Sequence, residues 1–294
     1  MVKRLVRFDW AIKHLLRDKG NFVVLEGFLS VILHEKVKIR QILSSQSNKE
    51  TESDKYNDVD ILVENSKGEL IIIEVQNTKE YDYFQRILFG TSKVIAEYIS
   101  EGQTYSEIKK VISITIAYFD LGQGADYVYH GSTKFIGIHK GDTLTLSDKQ
   151  KALYEKQEVY QIYPEYWIIK ASLFNEDEVK DELDEWIYFF KTGEVKDEFT
   201  APGLVEAKEK LDKLNLSPEE RKEYEAFIDR LRKIASIQHT EMEDTKDAIK
   251  DARFEAKTEI IIELWLDNTP ISKIAKYVKM SEKEVEEVIE KYKN

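Results

Sequence analysis

The strongest constraint on the fold is an apolar run, Leu70 to Ile73, that ends in the polar sequence Glu74-Val75-Gln76. A second run rich in β-branched residues, Ile61 to Val63, precedes it, and a polar stretch containing Gly68 separates the two. Two such runs around a Gly-containing turn predict a β-hairpin. The unbroken apolar run also predicts that its strand is central in the sheet and buried on both faces.

The pairing of this hairpin follows from the length of its turn. A three-residue loop at 66–68 sets residue 65 opposite residue 69 and therefore Asp60 opposite Glu74. Because side chains alternate along a strand, Glu74 and Gln76 share one face, while Val75 lies on the other. Two carboxylates and an amide then converge, and oxygen ligands of this kind suit a hard divalent cation such as Mg²⁺, which keeps waters for chemistry.

A simpler interpretation of the same residues stays open. Acidic side chains at strand ends are often solvated, so the pattern of an Asp followed by Glu-x-Gln is by itself a weak motif. However, Glu74 directly follows a run that predicts a buried strand, where an unpaired charge costs several kcal/mol. A metal ion or a cationic side chain would offset that cost.

This arrangement resembles the catalytic core of the PD-(D/E)xK nucleases, and more narrowly the transposase-like family known as the recombination-promoting nucleases (Rpn). The resemblance covers roughly three quarters of the chain. The segments that carry it are Phe8 to Lys13, Asp60, Ile73 to Gln76, Arg86, Gly102 to Tyr105, Val111 to Phe119, Tyr163 to Trp167 and Asp184 to Phe189.

The resemblance implies a role for each residue of the motif. Asp60 and Glu74 would bind Mg²⁺, with Mn²⁺ as a substitute, and the backbone carbonyl of Val75 is a further candidate ligand. Gln76 stands where other nucleases of the superfamily carry Lys, so it can orient a water but cannot supply a positive charge. Lys79, Arg86 and Lys93 are nearby cations, of which the resemblance favours Arg86. Gly90 departs from the family pattern, which usually has an aromatic residue after this Arg.

Glu26 is the candidate for a fourth metal ligand. It lies beside the apolar stripe of a predicted helix over residues 21–34, one turn from Phe22 and Leu29. Nucleases of this superfamily often present an acidic residue from the first core helices. The alternative is a carboxylate at the solvated edge of that helix.

The charge distribution qualifies the net charge of −12, which at first argues against a nucleic acid partner. Residues 1–40 carry nine Lys/Arg against four Asp/Glu, whereas residues 147–294 carry 25 against 36. Phosphate contacts usually come from Lys and Arg. The candidates for contacts to DNA are Lys3, Arg4, Arg7, Lys13 and Arg17, although a solvated helix face would explain them equally well.

The remaining pattern predicts an α/β fold: a restriction-endonuclease-like core with a mixed sheet flanked by helices, followed by a helical C-terminal region. Further strands are expected at 37–43, 111–119 and 133–138, a helix at 81–100, and a mobile loop at 44–55. We divide the chain into a nuclease-like core (1–175), an acidic helical extension (176–256) and a small helical module (257–294). Three short helices are expected in that module, near 260–267, 271–278 and 282–292.

The last two of these helices resemble a helix-turn-helix, but the second presents acidic side chains that would repel phosphates. A contact with protein is therefore the favoured role of the module. The acidic residues are Glu282, Glu284, Glu286, Glu287 and Glu290.

The sequence as a whole predicts a metal-dependent DNA endonuclease acting in recombination, mobile-element or phage-defence processes. The alternative is an inactive nuclease-fold protein that binds DNA or regulates through its C-terminal module. The chain has no cysteine and no apolar run of membrane-spanning length, so we expect a cytosolic protein with neither disulfides nor thiolate metal sites. A homodimer through the helical region would suit cuts on two antiparallel strands.

Overall fold

A mixed six-stranded sheet forms the framework of the N-terminal part of the chain. The computed structural model describes residue 10 and residues 22–43, 61–99, 102–210 and 216–293. The strands lie in the order β1-β2-β3-β4-β6-β5. Their bounds are Ile39–Leu43 (β1), Ile61–Asn65 (β2), Leu70–Gln76 (β3), Val111–Ala117 (β4), Val128–Gly131 (β5) and Glu165–Lys170 (β6).

Eight α-helices are found in the described residues. Five accompany the sheet: Val23–Ile32 (α1), Tyr83–Glu97 (α2), Asp148–Tyr154 (α3), Glu182–Thr192 (α4) and Leu204–Lys210 (α5). Three belong to the C-terminal part: Pro218–Leu266 (α6), Ile271–Val278 (α7) and Glu282–Lys293 (α8). The predicted α/β fold with a helical C-terminal region is therefore confirmed.

The predicted hairpin is formed by β2 and β3. Its register runs from Glu64 opposite Leu70 to Ile61 opposite Ile73. At the turn, the Gly68 amide donates to the Asn65 carbonyl (3.0 Å), and Gly68 has φ +77°, a conformation that glycine adopts without strain. This turn sets the register that the sequence predicted.

Strand β3 is the centre of the sheet because it pairs antiparallel with β2 and parallel with β4. Every residue from Leu70 to Val75 is buried, and all of β4 is buried as well. A strand enclosed on both sides and both faces needs a continuous apolar sequence, which explains the run from Leu70 to Ile73.

Helices cover both faces of the sheet. On one face, α2 packs through Tyr83 and Ile87 against Ala117 and Ile168. The other face carries α1 and α4, whose aromatic side chains contact each other: the ring centres of Phe28 and Trp186 are 5.5 Å apart. Alternation along each strand therefore decides which of its side chains face α2 and which face α1 and α4.

The edge of the sheet beyond β6 differs from the sequence prediction. The strand expected at 133–138 is wrong, since in the structure that stretch makes only an isolated bridge, Ile136 to Thr143. The edge strand is instead β5, which pairs antiparallel with β6 and stacks His130 on Trp167 at 4.2 Å between ring centres. This segment forms a strand because it pairs with β6, and the local β-propensity of the sequence alone could not predict that pairing.

The chain divides into two compact units, residues 1–221 and 222–294. In the second unit, the end of α6 packs with α7 and α8 around Ile261, Ile274, Val285 and Ile289. The short helix expected near 260–267 is wrong in its extent, because it is the end of the 49-residue helix α6. The domain borders at 175/176 and 256/257 stay predictions.

Glu64 is a buried carboxylate at the turn end of β2. Its Oε2 accepts from the Gln41 amide (2.7 Å), and Lys109 Nζ lies 3.2 Å from its Oε1. The Gln41 hydrogen bond is the largest influence on its pKa. With the charges of Lys109 and Arg40, it lowers the pKa of Glu64 below the ordinary value despite the opposing effect of burial.

We predict that Glu64→Gln lowers the free energy of unfolding at pH 7 by about 1–3 kcal/mol, because it removes hydrogen bonds to a charged group. A carboxylate with a lowered pKa stabilises the folded state above its unfolded-state pKa, and this contribution is lost as the pH falls through the folded-state pKa. The difference from wild type should therefore shrink below about pH 4.5. Urea unfolding at a series of pH values measures it.

The control is Glu97→Gln, which removes a half-exposed carboxylate 3.7 Å from Lys93. Its effect should stay within about 0.5 kcal/mol at every pH. A Glu64→Gln penalty that grows on acidification would contradict the assignment.

Candidate active site

Glu74 lies near the carboxyl end of the central strand β3, on the face covered by α2. Its side chain is buried, and the residue is 8% exposed. The Tyr83 hydroxyl, at the start of α2, donates a hydrogen bond to Glu74 Oε2 at 3.1 Å. Alternation along β3 directs the carboxylate to this face, and the position of α2 brings the tyrosine to it.

Gln76 is the next residue on the same face, and its amide orientation is fixed. The Nε2 group donates to the Thr78 carbonyl (3.1 Å) and to Glu80 Oε1 (2.7 Å). Because both of these partners are acceptors, the amide nitrogen must face them. The carbonyl oxygen of Gln76 is thus the atom left to accept a hydrogen bond from a water or a substrate.

Arg86 is held by the same carboxylate that holds Gln76. Its Nη1 lies 3.0 and 3.2 Å from the two Glu80 oxygens, and its guanidinium carbon is 5.6 Å from the centre of the Tyr83 ring. Burial, the largest single influence, favours the neutral form, but the Glu80 hydrogen bond and the charges of Glu80 and Glu74 outweigh it and raise the pKa of Arg86. The guanidinium is therefore a permanent positive charge close to Glu74.

A second cation, Lys170, lies at the same carboxyl end of the parallel strands. The register places Gln76 beside Ala117 and Ala117 beside Lys170, so the three residues form one row across β3, β4 and β6. Lys170 is 1% exposed, and its Nζ lies 2.6 Å from Asp120 Oδ1 and 5.8 Å from the centre of the Tyr129 ring. The carboxyl ends of the parallel strands thus gather charges of both signs.

The predicted partner of Glu74 lies at the border of the described structure. The hairpin register is confirmed as far as Ile61 opposite Ile73, one residue short of the predicted pair. Asp60 itself lies outside the described residues, as do the basic residues predicted to contact DNA, Lys3, Arg4, Arg7, Lys13 and Arg17, and the loop predicted at 44–55. Val75 is buried on the opposite face of β3.

Glu26 is not brought together with Glu74. It lies on α1, and that helix packs on the other face of the sheet, where His34 contacts Trp167 with 6.2 Å between ring centres. The Glu26 carboxylate accepts from the Ile39 amide (2.9 Å) and the Lys38 ammonium (2.5 Å). It therefore anchors the start of β1, and its role as a metal ligand stays a prediction.

Two other cations considered from the sequence have different neighbours. Lys79 Nζ lies over the Tyr81 ring at 5.2 Å, and Lys93 pairs with Glu97 on the surface of α2. Tyr83, Glu80 and Lys170 were not predicted from the sequence to belong to the site. Glu80 could have been suspected as an acidic residue between Gln76 and Arg86, but no local pattern connects Lys170 to the motif.

The chemistry of the donor set fits a hard divalent cation. Glu74 supplies carboxylate oxygens and Gln76 a carbonyl oxygen, whereas His or Cys ligands, which softer metals prefer, are not part of this set. Within the described part of the chain, no group of three His, Asp or Glu side chains is close enough to hold a metal ion. Of the predicted carboxylate ligands, Glu74 lies at this site, Glu26 lies on the other face of the sheet, and Asp60 lies outside the described residues.

Comparison with known proteins agrees with this geometry. A family model described as PD-(D/E)XK nuclease family transposase matches residues 6–240 of the 294. The chain belongs to this family. The match includes the whole sheet, Glu74, Gln76 and Arg86, and it ends within α6. No curated protein and no solved structure matched the chain.

Membership of the nuclease family makes DNA the expected substrate class and a divalent metal the general requirement of its members. Among the helices that the structure describes, none combines the length and the apolar composition needed to cross a membrane.

We predict that Tyr83→Phe lowers the free energy of unfolding by about 1–2 kcal/mol, since the Glu74 carboxylate loses a hydrogen bond in a buried setting. In a Glu74→Ala background the same substitution should cost less, with a coupling energy of about 1 kcal/mol. Urea unfolding of the two single variants and the double variant measures this coupling.

Tyr81→Phe serves as the control because Tyr81 is 93% exposed, and its effect should stay within about 0.5 kcal/mol. Additive costs for Tyr83→Phe and Glu74→Ala would mean that the two side chains do not interact.

Proposed function

We propose that this protein is a metal-dependent endonuclease that hydrolyses phosphodiester bonds of DNA, with Mg²⁺ as its natural ion. One observation carries the proposal. The central strand of a nuclease-family sheet ends in a buried carboxylate, Glu74, with the amide of Gln76 on the same face and the guanidinium of Arg86 nearby. A buried charge of this kind is costly unless it is compensated, so its position favours a functional role.

The residues proposed to hold the ion are Asp60, Glu74 and the backbone carbonyl of Val75. All three offer oxygen, the ligand atom that Mg²⁺ prefers and that Mn²⁺ also accepts. A divalent ion in such a site lowers the pKa of bound water and offsets the negative charge of the transition state.

Gln76 and Arg86 divide the work that a single Lys performs in related nucleases. The carbonyl oxygen of Gln76 can accept a hydrogen bond from the attacking water and so orient it, but an amide carries no charge. Arg86 supplies the positive charge, and Glu80 fixes both groups by binding the Gln76 amide and the guanidinium at once. A preorganised cation is most useful where negative charge increases during the reaction.

The cellular setting we propose is DNA recombination, in a mobile-element or phage-defence context. Hydrolysis needs only the site described, whereas strand transfer would need additional machinery. Cuts on both strands of a duplex would suit a two-fold dimer.

The test is the nicking of supercoiled plasmid by the purified full-length chain with Mg²⁺, with Mn²⁺ or with EDTA. We predict metal-dependent nicking that Glu74→Gln and Asp60→Asn each reduce by about a hundredfold or more, because a neutral amide replaces a metal-binding carboxylate. EDTA should abolish the wild-type activity.

Glu64→Gln is the matched control, since it changes a buried Glu on the neighbouring strand of the same hairpin. It should retain nicking within about threefold of wild type. If folded wild-type protein does not cut with either metal, or if Glu74→Gln cuts as well as wild type, the proposal is wrong.

A further inference from the structure

The central part of helix α6 carries a stripe of cations on one side. Lys246, Lys250, Arg253 and Lys257 follow each other at spacings of four, three and four residues. Because an α-helix has 3.6 residues per turn, these side chains share one face over about 16 Å of helix. The first three are exposed and Lys257 is half-buried. This stripe lies beyond residue 240, where the family match ends.

The opposite side of the same helix segment is acidic. Asp244, Asp251, Glu255 and Glu259 lie there, and all four are exposed. Glu243 and Asp247 flank the basic stripe, each three residues before one of its Lys residues. Apart from these two residues, the two signs of charge are separated around the helix. A helix surface that served only solubility would mix them in i, i+4 pairs, so this separation indicates that the basic side faces a partner of its own.

The basic stripe forms one wall of a groove of about 530 Å³ within the C-terminal unit. Lys279, at the end of α7, adds a fifth cation to the lining, and Ile249, Phe254 and Met280 supply apolar surface. Glu284 is the acidic residue of the lining. Its carboxylate is bonded to the amide and hydroxyl of Ser281, both at 2.7 Å, which caps α8 and ties that charge to the helix end.

Most of these cations have no carboxylate partner. Lys246 pairs with Glu243 at 2.7 Å. Within the described residues, Lys250, Arg253, Lys257 and Lys279 take part in no ion pair. The hydrogen bonds from Ser281 lower the pKa of Glu284, and the charge of Lys257 adds to this effect. Five cations and one carboxylate line the groove, so the cations repel each other, and a polyanion would relieve this repulsion.

We propose that this basic groove, lined by Lys246, Lys250, Arg253, Lys257 and Lys279, binds the phosphate backbone of duplex DNA. The choice of DNA among polyanions rests on the proposed function, whereas the groove itself rests on the geometry of the C-terminal unit. Contacts would be made to phosphates and not to base edges, so binding would depend strongly on salt and little on sequence.

The charge balance of the whole chain supports this role. Residues 1–221 contain 30 Lys/Arg and 39 Asp/Glu, a balance of −9, and residues 222–294 contain 14 and 17, a balance of −3. A nuclease unit of net negative charge repels its substrate, and the groove adds a basic surface to the basic residues predicted to contact DNA near the N-terminus. The acidic face of α8, which argued against DNA binding by the module, does not line the groove apart from Glu284.

The test is the binding of a fluorescein-labelled duplex of about 25 base pairs to the full-length chain, measured by fluorescence anisotropy in EDTA between about 50 and 200 mM KCl. The variant is Lys250→Gln/Arg253→Gln, which neutralises two exposed cations of the stripe. We expect its affinity to fall by about tenfold or more near 100 mM KCl and the slope of log K against log salt to become shallower by about 2.

The matched control is Arg230→Gln/Lys233→Gln. It removes one Arg and one Lys at the same spacing from exposed positions of the same helix, outside the groove. Its affinity should stay within about twofold of wild type. Circular dichroism of both variants verifies that the helical content is unchanged.

Three results would overturn the inference. The first is that the wild-type protein does not bind the duplex, and the second is that both variants lose DNA affinity equally. The third is that the groove variant binds DNA normally and instead loses affinity for a poly-glutamate probe. The last result would assign the groove to an acidic protein partner. Because cleavage is blocked by EDTA, a selective loss in the groove variant would stand even if plasmid nicking failed. If the wild-type protein nicks plasmid but the groove variant binds the duplex normally, the inference about the groove is wrong and the proposed function is not affected.

Discussion

A carboxylate at the end of a buried central strand sets the electrostatic problem that the rest of the site solves. Glu74 follows four apolar residues of β3 and has neighbours on both sides of the sheet, so little water reaches it. Tyr83 donates to it and Arg86 lies near it, and both residues come from the first turn of α2. The start of α2, placed over the carboxyl end of β3, therefore supplies both a hydrogen-bond donor and a positive charge to this buried carboxylate.

At the start of the same helix, the positive charge and the oriented oxygen of the site belong to two different side chains. Glu80 precedes α2 and binds Gln76 and Arg86 together, which fixes an amide oxygen on one group and a positive charge on the other. A single protonated Lys would supply the positive charge but, because it has no hydrogen-bond acceptor, not the oxygen. The separation of the charge from the oxygen makes the site depend on Glu80, a residue that has no role in a bare D…E-x-Q motif.

The sequence could predict the parts of this arrangement that depend on local pattern. Alternation along β3 and the Gly68 turn gave the correct register of the hairpin and the shared face of Glu74 and Gln76. Long-range pairing decided the rest. Glu26 accepts the hydrogen bond at the start of β1 because that strand begins beside α1. Strand β5 forms at Val128–Gly131 because it pairs with β6. Lys170 joins the row of Gln76 only through two parallel crossovers, which no local pattern reveals.

The central claim is that Glu74 holds a divalent metal ion. A crystal structure of the full-length chain soaked with Mn²⁺, with anomalous data collected near the manganese absorption edge, tests it most directly. We predict an anomalous peak within about 2.5 Å of a Glu74 carboxylate oxygen, with Asp60 as a second ligand. A fully occupied peak elsewhere, or Glu74 bound only to Tyr83 and its protein neighbours at saturating Mn²⁺, would contradict the claim.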